Sequence, residues 1–202
     1  MRSLTPGESR LQLSIGISLG RAFHGEPNFV YMVPSPLRRR RGLPWFFGSF
    51  VVRIGLRRGV VDVAADGSAA AIWIKPGTRV GARDALAAGL PRLPFRLGAR
   101  GAWRSMVLSS AIEKERSSRM DEPHWYLMAL GVAPEKQGRG IGSALLARGL
   151  ARADGSGSPA YLETFRERTA RLYARRGFEV VGRAKVGRTG PTFTTMARHP
   201  GG

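Results

Sequence analysis

Three glycines, Gly138, Gly140 and Gly142, crowd the mouth of the amphipathic stretch QGRGIGSALLARGL that runs from Gln137 to Leu150. Glycine costs a helix about 1 kcal/mol per position relative to alanine, so a helix start built this way needs bare backbone. A loop that opens a helix presents free N–H groups and the positive end of the helix dipole, and together these make an anion site. Glycines there let the backbone approach a phosphate and take φ values closed to other residues, and Arg139 and Ser143 add side-chain donors. The spacing is neither the Gly-x-Gly-x-x-Gly dinucleotide fingerprint nor a phosphate loop ending in Gly-Lys-Ser/Thr. Taken alone it fits a pliable helix entrance as well as a phosphate cradle. Four titratable side chains also stand where chemistry could use them. Glu163 lies on the apolar strand AYLET, where burial raises a carboxyl pKa unless an arginine simply pairs with it. Tyr173, in TARLYARR, reads equally as a half-buried aromatic packed on a sheet. His124 precedes a buried strand, and Glu26 sits in HGEPNF at a helix end.

Composition narrows the classes. The chain has 202 residues and is 43% hydrophobic, enough for a packed core, and one domain over residues 1–202 is expected. Cysteine is absent, which removes disulfides, thiolate metal sites and a cysteine nucleophile. The histidines His24, His124 and His199 have no metal-ligand spacing, so no metal is expected. No run reaches the length of a membrane span, and the first residues lack a signal-peptide pattern; a cytoplasmic location is expected. The formal charge of +19 invites a polyanionic partner. The cations are nearly all arginine, spread along the chain apart from Arg38 to Arg41, and that run carries no interleaved aromatics for base stacking. A solvated basic surface, or attraction of a polyanionic cofactor, is the better reading than a nucleic-acid platform.

The elements that must position these residues follow a mixed α/β order. A first helix carries Leu11, Ile15 and Leu19 and ends near Phe23. Leu43 to Gly59 reads as a second helix despite its glycines. Val60 to Ala64 and Ala69 to Ile74 flank Asp66-Gly67, a hairpin turn. Residues 82 to 119 read mostly helical, broken by Pro91 and Pro94, while SSAIEKERSSRMDEP reads as a loop or frayed helix end. From Trp125 onward the order is strand (WYLMALGV), glycine loop, helix from Ile141 to Arg152, strand (AYLET), helix (TARLYARR) with Gly177 as its C-terminal glycine, then strands FEVVGRA and TFTTMAR. Such an order makes a mixed central β-sheet flanked by helices, with a helical insertion before the strand that leads into the glycine loop. The helical stretch from Arg83 to Arg119 is a natural lid for a pocket. The four tryptophans, Trp45, Trp73, Trp103 and Trp125, read as core, with one or two free to wall that pocket.

The stretch LGVAPEKQGRGIGSALL resembles the coenzyme-A loop of the GNAT-superfamily N-acetyltransferases, whose pattern is Gln/Arg-x-x-Gly-x-Gly/Ala. Gln137, Gly140 and Gly142 stand at its fixed positions. YLETFRERTARLYARRGFEVVG resembles the family's later strand, its tyrosine-bearing helix and the Gly-Phe that leads into the next strand. HWYLMALGV, AAIWIKPG and GPTFTTMAR resemble the branch that contains puromycin N-acetyltransferase. Thr169 departs from the asparagine often found there. The strong resemblance covers residues 123 to 198, a weaker one residues 23 to 77, and the family's usual first strand is hard to find before Thr5.

The resemblance implies a single-domain GNAT-like fold and direct transfer of acetyl from acetyl-CoA to an amine. It assigns cofactor binding to Leu130, Gly131, Val132, Gln137, Gly138, Arg139, Gly140, Ile141, Gly142, Ser143 and Thr169. Within that set, main-chain groups of Leu130 to Val132 would polarise the thioester carbonyl. Tyr173 would protonate the departing thiolate, because a phenol of pKa about 10 keeps its proton at neutral pH. The base that deprotonates the incoming ammonium is left among Glu163, His124 and Glu26. Glu26, Phe23 and Trp73 are the acceptor-side candidates. A small-molecule amine is the expected partner, with a protein amine as runner-up, and a monomer or homodimer as the assembly. A CoA-binding regulatory module and a nucleic-acid-binding protein on the same scaffold are the alternatives from other classes.

Overall fold

In the computed structural model, which describes residues 1–201 so that Gly202 of the expected domain lies outside them, one seven-stranded sheet runs through the chain in the order β1-β2-β3-β4-β5-β7-β6. The strands are β1 (Arg2–Ser3), β2 (Gly59–Val63), β3 (Ala69–Ile74), β4 (Trp125–Val132), β5 (Ala160–Thr164), β6 (Glu179–Lys185) and β7 (Thr192–Arg198). All neighbours pair antiparallel except β4 and β5, which run parallel. The two-residue β1 is the shortened edge that the sequence suggests. Asp66-Gly67 makes the β2–β3 turn, with Gly67 at φ +71°.

Helices cover both faces. On one side lie α1 (Ser9–Ala22), α2 (Pro27–Met32), α3 (Pro36–Trp45), α4 (Val52–Arg58), α5 (Ala82–Ala88), α6 (Leu93–Leu97) and α7 (Ala99–Arg119). On the other lie α8 (Ile141–Gly155) and α9 (Glu167–Ala174). A π-helical stretch, Phe46–Val51, joins α3 to α4 directly after Pro44, where the missing proline amide already breaks the regular ladder. Helix α7 continues through Arg119, so the polar segment read as a loop or a frayed helix end is regular helix up to that residue. Glu113–Arg116 and Glu115–Arg119 pair at i,i+3 and i,i+4 spacing, and the helix also buries Leu108 against Val186 and Phe193. No helix among the described residues is long and apolar enough to cross a membrane.

Strand alternation fixes two cores. Trp73, Trp125, Leu127, Leu162 and Met196 face α8 and α9, packing on Leu145, Leu146 and Tyr173. Val61, Val63, Ile72 and Ala129 face the helical lobe, packing on Ile15, Leu19, Phe29 and Phe47. Helix α8 is held close because a Cβ at Gly149 would meet the Trp73 ring at 2.2 Å. It is tied laterally by the fully buried Asp62, which accepts from Arg148 Nε at 2.9 Å and also pairs with Arg152. These contacts set the helix mouth at the end of β4.

Candidate active site

Strands β4 and β5 pair only at Trp125↔Ala160 and Tyr126↔Tyr161, then diverge. The β3–β4 register slips so that Ile72 faces Ala129 and Trp73 faces Leu127, leaving Met128 as the extra residue. A bulge bends its strand, and here it carries β4 away from β5. The resulting cleft, about 690 Å³, passes from the helical lobe through the opened sheet to the α8–α9 side. Its β4 wall runs from Leu127 to Val132, where main-chain groups on the β5 side have no strand partner.

On the α8–α9 side the cleft is closed by the glycine loop. Gly138 and Gly140 adopt φ +76° and +75°, a left-handed conformation that costs an ordinary residue about 1–2 kcal/mol. Gly142 is different: it is inside the helix, and a Cβ there would lie 3.3 Å from Val132 Cγ2, so it serves close packing of α8 on β4. Among the described residues, the amides of residues 138–143 donate to no group of the chain, so the loop holds an array of free donors at a helix N-terminus. The Gln137 side chain braces this loop by donating to the Val132 carbonyl at 3.0 Å. Gly138, Gly140, Ile141, Gly142, Ser143 and Thr169 line the cleft, whereas Arg139 is exposed and outside its lining. The backbone geometry fits a pyrophosphate, and an unpaired strand edge fits an extended amide chain beside it.

Two titratable groups line the cleft from opposite faces of the opened sheet. Glu163 alternates onto the helical-lobe face of β5, and burial raises its pKa to about 7. The Tyr126 hydroxyl donates to its Oε1 at 2.6 Å, while Oε2 is buried without a partner. Tyr173 approaches from the opposite face on α9, in the cluster with Leu162, Phe178 and Met196. Burial, and then the nearby Glu163 and Glu26 carboxylates, hold its phenol above the ordinary range. Tyr173 lines the cleft, and its hydroxyl has no hydrogen-bond partner among the described residues. Tyr173 ends its helix cleanly because Gly177, at φ +83°, turns the chain and Phe178 N–H donates to the Tyr173 carbonyl at 3.2 Å.

The remaining expectations divide. Phe23 and Glu26 line the cleft on the helical-lobe side. Two do not. Trp73 is fully buried beneath α8, because both faces of the central β3 are covered, and it cannot touch an acceptor. His124 lies at the far end of β4 from the divergence, bonded through Nδ1 to the Glu122 carbonyl at 2.8 Å, and it lines a separate cavity of about 270 Å³. The stretch from Arg83 to Arg119 supplies none of the cleft lining; α7 packs instead against α2 and β6, so it is no lid over this site. Trp103 is exposed rather than core. Residues that sequence reasoning missed include Phe29 and Phe47 in the wall, Tyr126 behind Glu163, and Arg166, whose Nε donates to Glu26 Oε1 at 2.7 Å. Periodicity could put Tyr126 and Glu163 each on the lobe face of its own strand, but not their contact across β4 and β5, nor the Arg166 contact, 140 residues away.

The sequence model of the acetyltransferase (GNAT) family matches residues 105–178, a span that contains β4, the glycine loop, α8, β5 and α9. An uncharacterized N-acetyltransferase of Schizosaccharomyces pombe is 25% identical over 163 residues, covering 78% of this chain and 66% of that protein. The chain therefore spans just under two thirds of that relative's length. A Corynebacterium glutamicum structure described as histone acetyltransferase HPA2 and related acetyltransferase is similar with a TM-score of 0.69 and 25% identity, over 100% of this chain and 96% of that one. A Drosophila melanogaster polyamine N-acetyltransferase shares the fold, at a TM-score of 0.62 and 19% identity over 98% of both chains. The family match covers a little over a third of the chain, and the likeness in sequence and in whole-chain fold is to acetyltransferases of this family. That family uses acetyl-CoA as its acetyl donor.

Proposed function

We propose that the protein transfers acetyl from acetyl-CoA directly to the amine of a small molecule, as the resemblance to the puromycin N-acetyltransferase branch implies. The observation that supports this most is the placement of Glu163 and Tyr173 on opposite faces of one opened sheet, with free loop amides beside them. Acetyl-CoA supplies an activated thioester. The amides of residues 138–143 hold its pyrophosphate with fixed donors, and main chain at Leu130–Val132 steadies the thioester carbonyl as charge develops on its oxygen.

The acceptor enters from the helical lobe as an ammonium. Glu163, titrating near 7, is half ionised at neutral pH and takes one proton, which frees the nitrogen lone pair. The nitrogen–carbon bond forms and the carbon–sulfur bond breaks. Tyr173 gives its proton to the leaving thiolate on the other face, and the second amine proton restores the phenol. The balance is one amide, one thiol and one proton released to solvent through Glu163. A small acceptor suits a cleft closed by Phe23, Phe29 and Phe47 on the lobe side better than a peptide does. Thiol release from acetyl-CoA, measured over a panel of small amines and peptides, tests the reading. Turnover with peptides alone would reverse it, and CoA binding without turnover for any amine would leave a binding module.

A further inference from the structure

The wall facing the Glu163 side of the cleft has an unusual division of apolar and charged groups. Phe23 stacks on Phe47 with ring centroids 4.9 Å apart, and Phe29 meets Phe23 at 5.6 Å and Phe47 at 5.2 Å. Phe23 also lies over Gly131, where a Cβ would sit 2.8 Å from its Cε2, so this ring is pressed against the β4 wall. The cleft lining among the described residues holds two carboxylates, Glu26 and Glu163. Glu26 is already engaged: Arg166 donates to it at 2.7 Å and ties down the same loop through the Gly25 carbonyl at 2.6 Å. The lining cations, Lys136, Arg168 and Arg175, come from the glycine loop and α9 rather than from the aromatic wall.

One carboxylate without an ion-pair partner is thus left to meet an incoming ammonium, in a cleft whose lobe wall is the half-buried Phe23. A second ammonium on the same molecule would be desolvated against a phenyl face or placed beside a Glu26 whose charge Arg166 already offsets, with Arg168, Arg175 and Lys136 adding like charge to the lining, and a buried charge without a partner is costly. A peptide would bring backbone amides and carbonyls to a wall that offers the rings few matching groups. We infer that the acceptor is a primary monoamine carried on an apolar, ring-sized body, the body lying against the half-buried Phe23 that the core rings Phe29 and Phe47 back, and that Arg166, by offsetting the charge of Glu26, selects against diamines. This rests on the acetyl-transfer reading and narrows it.

The test compares 2-phenylethylamine, propylamine, 1,4-diaminobutane and a short peptide by thiol release, in the native chain and in the Phe23→Ala and Arg166→Gln variants. In the native chain kcat/KM for 2-phenylethylamine exceeds that for propylamine by at least about tenfold, the scale on which apolar pockets discriminate, and both exceed the diamine. Phe23→Ala collapses the difference between the two monoamines and leaves CoA affinity unchanged. Arg166→Gln frees Glu26 and raises kcat/KM for the diamine by about tenfold or more relative to 2-phenylethylamine. Thermal unfolding of each variant, with CoA present, separates these effects from misfolding. A native preference for the diamine or the peptide overturns the inference while leaving acetyl transfer intact. So does a Phe23→Ala variant that is folded and loses both monoamines equally. Absence of turnover with every amine, despite CoA binding, removes the acetyl-transfer reading itself.

Discussion

The Tyr126 hydroxyl offers a way to move the catalytic pH range without touching the cleft. It donates to Glu163 Oε1 at 2.6 Å and is outside the cleft lining, so Tyr126→Phe removes one donor from a carboxylate and nothing from the acceptor pocket. Glu163 titrates near 7 because burial outweighs that hydrogen bond. At pH 6 roughly a tenth of the groups are ionised and at pH 8 roughly nine-tenths, so kcat/KM for an amine should rise about tenfold between them. A hydrogen bond to a charged acceptor is worth about 1.5–3 kcal/mol, and one pH unit corresponds to about 1.4 kcal/mol. Losing it should therefore carry the acid limb about one to two pH units toward alkaline, cutting kcat/KM at pH 7 by about 5- to 50-fold. The loss is regained at higher pH. The assay is thiol release at subsaturating amine from pH 5.5 to 10, beside circular dichroism of the same samples. A folded variant whose limb stays in place, or whose rate falls equally at every pH, refutes the assignment of Glu163 as the base. Linkage gives an independent check. The folded pKa of Glu163 is raised above its ordinary 4.5, so its contribution to stability is fully present below about 4.5 and is lost as pH rises through about 7. Glu163→Gln should accordingly raise the melting temperature at pH 8, by at most about 3 kcal/mol of stability, and have little effect at pH 4, while removing about 10² to 10⁴ of the rate.

Three further perturbations bear on the other parts of the site. Tyr173→Phe should slow single-turnover acetyl transfer by about 10² to 10⁴ with the acetyl-CoA dissociation constant nearly unchanged; a near-native rate in a folded variant would defeat the acid role. Because burial holds the Tyr173 phenol above its ordinary range, the native kcat should keep its plateau past pH 10, and an alkaline fall centred below that would contradict the environment described. Gly140→Asp places a Cβ at φ +75° and a negative charge against the pyrophosphate donors, so calorimetry should show CoA binding abolished. Gly149→Ala drives a methyl into the Trp73 ring, 2.2 Å away, and should cost about 1–3 kcal/mol in denaturant unfolding; a neutral result would mean that α8 lifts freely from the sheet.

What the sequence disclosed was mostly what neighbouring residues decide among themselves. The Asp66-Gly67 turn, the Gly177 stop and the glycine-opened helix each follow from backbone conformations that few other residues allow, and the structure has glycine at positive φ at Gly67, Gly177, Gly138 and Gly140. The strands of the mixed sheet followed from runs and alternation. Facing was harder. β3 is buried along its whole length, so alternation gives no polar side to identify, and Trp73 could be assigned to a pocket when it belongs under α8. The stretch SSAIEKERSSRM has too few apolar residues to announce a helix, yet ion pairs along its own turns and a neighbouring sheet face keep it helical. His124 was near the right strand but at its paired end, and pairing along β4 is a tertiary fact. The Phe23–Phe29–Phe47 wall and the Arg166–Glu26 contact join segments far apart in sequence, for which local pattern has no signal.

The same reasoning explains how one short segment can bring both proposed proton-handling groups to the cleft. Glu163 and Tyr173 lie ten positions apart on β5 and α9, yet they serve opposite faces of the sheet. Side chains alternate along a strand, so a slip of one residue in β5 would send Glu163 to the α8–α9 face and Thr164 to the lobe. What forbids the slip is β7, which pairs with β5 along its full length from Ala160↔Arg198 to Thr164↔Thr194. The other edge of β5 is free after Tyr161. The strand is thus anchored on one side and open on the other, and the opening removes main-chain hydrogen bonds along the stretch proposed to hold the thioester. α9 then begins three residues after the strand ends and carries Tyr173 into the lining of the same cleft that Glu163 reaches from the other face. A β5 closed against β4 throughout would gain sheet hydrogen bonds and separate the two groups behind a continuous backbone. The bulge at Met128, by bending β4 away, opens the sheet where the proposed base and acid would address a single reacting carbon.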